Sequence, residues 1–235
     1  MNVDMGIVLT GTIKPNSNFV AVKSVSERRK QYLEAIKYYC KFCPVWFLEN
    51  SEYDIESDND FKKIDGLIIV KCPVSKAYDK GKGYQEFEML DKFFSRTDIP
   101  EIIIKVTGRY IIDDFSRIVR DSLEMDEASV LIDLHKKYNY ADTYLLTFKT
   151  SYYRKNLMGL FKRVNDSIGI YVEHIYYEYF IKHKEDCRLY KNECDVCGVS
   201  GSSGEIYEHR VWWKKILKSC IRICLVIKGT KTLPW

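Results

Sequence analysis

Four residues of matched chemistry fall within five positions: Lys105, Thr107, Gly108 and Arg109. Two fixed cations beside a hydroxyl and a glycine suit an anionic group such as a diphosphate. Arginine grips phosphate with a planar fork of donors, lysine as a point charge. A surface turn with solvated charges is the competing reading. A second cluster, Thr10, Gly11 and Thr12, combines small polar side chains with a glycine and lets a ligand approach the backbone closely. Arg28 and Arg29 sit near a helix start, where cations oppose the helix dipole unless an anion compensates. Lys82 lies between Gly81 and Gly83 at another helix N-terminus, a ready anion site, though the spacing fits neither standard phosphate loop and a plain solvent loop is the competing reading. Glu49 and Asn50 can contact a base or ribose, or simply start a turn. Asp133 and His135 are spaced to share one strand face. Glu173 and His174 pair a carboxylate with an imidazole, suited to act as base and proton donor, or to be solvated.

The elements that must position these groups are legible as hydrophobic runs. Apolar strands are expected at Gly6 to Leu9, Val45 to Leu48, Leu67 to Val70, Ile102 to Ile104, Val130 to Ile132 and Asp142 to Phe148. Ser24 and Glu27 form a capping-box signature for a helix carrying Leu33 and Ile36. Phe87, Leu90 and Phe94 mark the apolar face of a helix that begins near Lys82. Asp113 and Asp114 read as first-turn caps of a helix with Phe115, Ile118, Val119 and Leu123 inward. A further helix is expected through Leu157 and Phe161, and a long one from about Asn165 to Lys182 burying Ile168, Val172, Ile175 and Tyr179. Alternation of strands and helices over residues 6 to 161 implies a mostly parallel, doubly wound α/β sheet. In such sheets ligands bind at the carboxyl ends of the strands.

The chain has 235 residues, 46% hydrophobic and 30% charged, with 18 tyrosines. That is enough for one large α/β domain with an appendage. The net charge of +4 does not indicate nucleic acid. No secretory signal opens the sequence, which implies a reduced cytoplasmic compartment. The Cys-x-x-Cys of Cys194 and Cys197, with His183 and Cys187, resembles half of a zinc site but lacks a second tight pair. From Arg210 on, every charged residue is basic. Trp212, Trp213, Ile216, Cys220 and Ile223 fall on one helical face, with Lys214, Lys215, Lys218 and Arg222 opposite. This is the pattern of an interfacial helix on an anionic leaflet, or of a helix packed on the domain or a second subunit.

The motifs in chain order resemble the small bacterial glycosyltransferases of capsule and lipopolysaccharide (O-antigen) gene clusters. The resemblance rests on the runs LTGTIKP at 9–15, ENS at 49–51, GKGYQE at 81–86, KVTGRY at 105–110 and ADT at 141–143. Arg28, Arg29, Tyr32, Glu173, His174 and the GVSGSSG run at 198–204 complete it. It spans about residues 5–207 and implies a GT-A-like domain over residues 1–207, with the basic aromatic tail read above, 208–235, following it. It also implies transfer of a sugar from a nucleotide-diphosphate donor, often a UDP-sugar, to a hydroxyl of a lipid-linked oligosaccharide. The place of action would be the inner face of the cytoplasmic membrane, with residues 210–228 on the anionic surface. Thr10, Gly11, Thr12 and Glu49 would line the nucleotide; Arg28, Lys82, Lys105, Thr107, Gly108 and Arg109 would hold phosphates. Asp142 or Glu173 would deprotonate the acceptor, with His174 beside it. Many such enzymes hold Mg²⁺ or Mn²⁺ on an Asp-x-Asp. The literal match, Asp58 and Asp60, lies in a polar loop, and Asp133 with His135 is better placed. A nucleotidyltransferase and a non-catalytic membrane-surface module are the alternatives.

Overall fold

The computed structural model describes residues 4–15, 22, 24–125, 127–193, 195–199, 206–207 and 212–235. Apolar runs become the strands β1 (Met5–Gly11), β2 (Val45–Glu49), β3 (Leu67–Lys71) and β4 (Ile102–Thr107). Between them lie α1 (Val25–Tyr39), α2 (Asn59–Lys62) and α3 (Lys82–Phe94). The Ser24 hydroxyl accepts from the Glu27 amide at 3.3 Å, so the expected cap starts α1. Then come β5 (Ile111–Ile112), α4 (Phe115–Leu123), β6 (Val130–Leu131), β7 (Leu134–His135), β8 (Tyr140–Ala141), β9 (Leu145–Lys149) and α5 (Thr150–Tyr152). The remainder is α6 (Val172–Lys182), β10 (Cys187–Arg188), β11 (Val196–Val199), β12 (Ile206–Tyr207) and α7 (Trp212–Ile227).

Seven strands form the central sheet in the order β10-β6-β9-β4-β1-β2-β3. β3, β2, β1 and β4 run parallel, and β9 is antiparallel to both β4 and β6. The order reverses at β1, which places a crevice between the carboxyl ends of β1 and β4. Alternating residues of each strand fill two apolar layers. Val8, Leu48 and Ile103 pack with Phe87, Leu90 and Phe94 of α3 and Tyr176 and Phe180 of α6. Ile7, Phe47, Ile102 and Ile104 pack with Tyr32, Ile36 and Tyr39 of α1 and Phe115 and Ile118 of α4.

Several expectations are corrected. The helix expected from Asn165 begins only at Val172. Gly169 sits at φ +77° and an Asn165–Ile170 bridge closes a turn there, so Ile168 is exposed rather than buried. The segment around Leu157 and Phe161 is a series of short, wide and tight turns, not one helix. Asp114 precedes α4 in the left-handed region and its side chain makes no capping bond. Leu123, expected inward, is exposed at the end of that helix.

The C-terminal segment is docked on the sheet by polar groups. Arg222 of α7 is 3% exposed and sits between two carboxylates. Its Nη1 lies 2.7 Å from Asp133 Oδ1, and its Nε donates to Glu193 Oε2. Past α7, the Leu233 amide donates to the Leu134 carbonyl and its own carbonyl accepts from the Lys136 amide. The outer face of α7 is apolar: Trp213, Ile216, Leu217, Ile223 and Ile227 are all exposed. The amphipathic helix is as expected, but Arg222 points inward to an anchor instead of outward. Among the described residues no helix is long and apolar enough to cross a membrane.

Candidate active site

The crevice is built by close backbone contact. The Gly108 amide donates to the Thr10 carbonyl at 3.0 Å, and a Cβ on Gly108 would come within 2.4 Å of that oxygen. Only glycine lets the ends of β1 and β4 approach this far. Next to it, α1 sends Arg28 back under the loop that follows β1. Arg28 occupies the same buried stripe as Tyr32, Ile36 and Tyr39. Its Nε and Nη2 both donate to the Thr12 carbonyl, and Nη2 also reaches the Tyr32 hydroxyl at 3.1 Å. Arg109, 9% exposed, donates from Nη1 to the amide oxygen of Gln31 at 2.8 Å. Among the described residues neither arginine forms an ion pair with a carboxylate; the partners found are neutral oxygens.

Lys82 completes a trio of cations. Burial, then the charges of Arg109 and Arg28, brings its pKa down to about 8. Burial also lowers Arg28 from its ordinary value, and the charge of Arg109 adds to this. Burial and the charge of Arg109 thus work against the charged forms of both Arg28 and Lys82, while Asp166 and Glu86 act in the other direction on Lys82.

Lys105 is different. It is wholly buried, and its three N–H bonds are matched inside the protein. Glu86 Oε1 lies at 2.6 Å, the Thr143 carbonyl at 2.5 Å and Thr107 Oγ1 at 3.1 Å. Glu86 Oε1 also accepts from the hydroxyls of Thr10, at 2.6 Å, and Thr107, at 3.1 Å. Lys105 and Thr107 therefore tie β4 and β1 to α3, one step behind the phosphate position assigned to them. Glu86 was missed from sequence. Its signal is its place on the polar side of α3, one turn after Lys82.

Glu49 is likewise a positioning residue. It is fully buried, and its Oε1 accepts from the Ile13 and Ser51 amides, each at 3.0 Å, while Lys71 pairs with Oε2 at 2.5 Å. It fixes the loop after β1 against the loop after β2. Further polar contacts join these loops: Thr12 Oγ1 donates to Asn50 Oδ1 at 2.6 Å, and the Lys14 amide donates to Ser51 Oγ at 3.0 Å.

The N-terminus of α3 already has an acceptor. Asp166 Oδ2 takes the Gly83 amide at 3.2 Å, and a Cβ on Gly81, at φ +93°, would lie 2.2 Å from that carboxylate. The amide end of α3 therefore holds an internal anion, and only the Lys82 side chain serves the cationic trio.

Glu173 stands at the start of α6 with its Oε1 bonded to the Thr143 hydroxyl at 3.2 Å. Through Thr143 it is linked to Lys105 and the crevice. Burial raises its pKa, and the nearby Glu86 carboxylate adds to the rise. His174 is exposed, its ring set against Tyr140 and Tyr171. Asp142 Oδ2 is held by His135 Nε2 at 3.0 Å and the Tyr144 hydroxyl at 3.2 Å.

The residues expected to hold a metal are occupied otherwise. Asp133 is spent on Arg222, and both His135 nitrogens are bonded, to Asp142 and to the Trp235 carbonyl at 3.0 Å. Asp58 and Asp60 both grip Arg29, each at 2.6 Å, beside α2. Among the described residues no group of three or more His, Cys, Asp or Glu side chains could hold a metal ion. The Cys194 part of the zinc reading lies outside the described residues; Cys187 is buried, and His183 stacks on Tyr179.

No protein-family model matches the chain, and no curated protein matches it in sequence. Solved structures do. One is a protein assigned as a nucleotide-diphospho-sugar transferase of Desulfovibrio desulfuricans G20, with 10% identity, covering 80% of this chain and 79% of that chain at a TM-score of 0.50. Another is mouse xyloside xylosyltransferase 1, with 9% identity, 80% and 85% coverage and a TM-score of 0.49. A third is a protein assigned as a glucose-1-phosphate thymidylyltransferase of Bacillus anthracis, with 12% identity, 93% and 95% coverage and a TM-score of 0.48. With the sheet order above, the first of these identifies the architecture: the chain has a GT-A-like fold, a mixed α/β structure with a mostly parallel central sheet and flanking helices.

Proposed function

We propose that the protein is a glycosyltransferase. It moves a sugar from a nucleotide-diphosphate donor, a UDP-sugar in the simplest case, to a hydroxyl of a lipid-linked glycan in bacterial surface polysaccharide synthesis. The observation that carries this reading is the cationic trio Arg28, Lys82 and Arg109 beside the switch point of the sheet, with no carboxylate among the described residues paired to either arginine. The diphosphate lies against that trio, and the loops held by Glu49 and Asn50 receive the nucleoside. The bond from the acceptor oxygen to the anomeric carbon forms as the bond from that carbon to the diphosphate breaks. The nucleoside diphosphate leaves with the electron pair, stabilised by the trio as its charge develops. Glu173 takes the proton of the attacking hydroxyl, and its raised pKa suits that task near neutral pH.

The apolar outer face of α7 supports a peripheral position on the inner face of the cytoplasmic membrane, where the acceptor lipid resides. Lys228, exposed at the end of α7, suits the anionic surface. Three measurements test the reading. A thermal-shift panel of UDP-, GDP- and CMP-sugars, with and without Mn²⁺, is expected to give a shift with one nucleotide family. Release of pyrophosphate from a nucleoside triphosphate and a sugar phosphate would instead make the protein a nucleotidyltransferase. Cosedimentation with anionic vesicles is expected for the wild-type protein and is lost on Ile216→Asp with Ile223→Asp. Failure of the wild type to sediment would remove the membrane part.

A further inference from the structure

Four neighbouring rings run from the start of α6, beside Glu173 in the chain, into the β7–β8 hairpin. Tyr171 and His174 are exposed, with ring centroids 5.8 Å apart. His174 and Tyr140 follow at 6.1 Å, then Tyr140 and His135 at 6.3 Å. Tyr140 and His135 are direct cross-strand partners in the β7–β8 hairpin, so their rings stand on one face. Neighbouring rings meet at 82° or 70° at His174 and 54° at His135, so they are not sealed against one another as a stack. Glu173 directly precedes His174 in α6. At the hairpin end of this line of rings, His135 holds Asp142.

The geometry points to a saccharide-binding subsite along this line, and it names the acceptor side of the glycosyltransferase reading, on which it rests. A sugar ring has a face of C–H groups and an edge of hydroxyls. The C–H groups carry slight positive charge and meet the negative face of an aromatic ring. The hydroxyls donate to carboxylates. Rings with Glu173 and Asp142 nearby supply both, and the Glu173 carboxylate disfavours an anionic ligand such as a nucleotide or a phospholipid headgroup, Asp142 being paired with His135. Charge thus divides the site: the donor diphosphate goes to Arg28, Lys82 and Arg109, and a neutral polyol goes to the ring-and-carboxylate wall. From Tyr171 to His135 the line comprises three successive centroid steps of about 6 Å. Four rings in succession offer more than one face for a sugar, so an oligosaccharide end is recognised rather than a single hexose.

Saturation-transfer NMR with lactose, cellobiose, maltose and chitobiose as probes tests the subsite on the intact chain. At least one disaccharide is expected to receive saturation, strongest on its C–H protons. The signal falls at least fivefold in Tyr171→Ala and in His174→Ala, both at exposed positions. Tyr138→Ala, an exposed tyrosine outside the line, leaves it unchanged. The donor-induced thermal shift is retained in all three variants, which separates failure of this subsite from failure of the donor site. Equal signals in wild type, Tyr171→Ala and His174→Ala would overturn the assignment. So would the absence of a signal from every disaccharide while the donor still binds.

Discussion

Arg109 and Arg222 are both nearly buried arginines, yet they are solvated by the protein in opposite ways. Arg222 lies between Asp133 and Glu193, and its charge is cancelled. Arg109 meets the neutral amide of Gln31 and faces two further cations, Arg28 and Lys82. Burying a charge costs several kcal/mol unless partners compensate it. Compensation inside the chain makes Arg222 an anchor. Among the described residues no carboxylate plays that part for Arg109, and on the proposed function a bound diphosphate supplies it. Lys105 falls on the anchor side of the comparison, because Glu86 neutralises it.

The largest expected effect lies at the anchor. Arg222→Ala leaves two buried carboxylates without their cation and should cost about 3–5 kcal/mol of folding stability. Chemical denaturation measures it, and a loss below about 1 kcal/mol would break the contrast. Arg109→Ala should do the reverse. It lowers kcat/KM for transfer by about 10²–10³-fold, in line with loss of one charge-stabilising donor. Stability is held or slightly raised, since a repulsive charge leaves the neighbourhood of Arg28 and Lys82. An unfolded variant, or one with near-normal turnover, would contradict the diphosphate-binding reading.

Two pH effects follow, both smaller. Glu173 must be ionised to accept a proton, and burial raises its pKa above the ordinary carboxyl value of about 4.3. Turnover should therefore rise with pH through a value above that one, and Glu173→Gln should remove this acid limb along with most of the rate. The stability sign is opposite: a carboxyl raised by folding contributes most below its unfolded pKa, and that contribution is lost as pH rises through the folded value. Lys82 titrates at about 8 in the unliganded protein. A bound diphosphate favours its charged form, so affinity for UDP should fall as pH rises above about 8. A titration of binding against pH in Lys82→Ala should show a flatter profile over that range. The same lysine destabilises the free fold while protonated, so its contribution to stability improves from about pH 8 upward toward its ordinary value of about 10.4.

What could be read from the chain divides along the same line. Local signals worked: the apolar runs of β1, β2 and β4, the Ser24 cap, the apolar face of α3 and the amphipathic α7 all stand where their periodicity puts them. Gly108 was marked as part of the site, and the close approach to Thr10 explains why a glycine stands there. Compensation was not legible, because it is a contact between distant residues. Nothing near Lys105 in sequence announces Glu86, nothing near Arg222 announces Asp133 and Glu193, and Asp166 reaches Gly83 from a turn that apolar spacing alone reads as helix. Arg28 did leave a trace: an arginine on the stripe of Tyr32, Ile36 and Tyr39 is an arginine turned toward the core.

The most direct test of the central claim compares UDP with uridine by thermal shift, in the wild type and in Arg109→Ala. If the three cations await a diphosphate, UDP raises the midpoint, uridine at the same concentration leaves it nearly unmoved, and Arg109→Ala loses most of the UDP shift. Equal shifts for UDP and uridine, or an undiminished UDP shift in Arg109→Ala, would mean that the cations are not where the donor's phosphates bind.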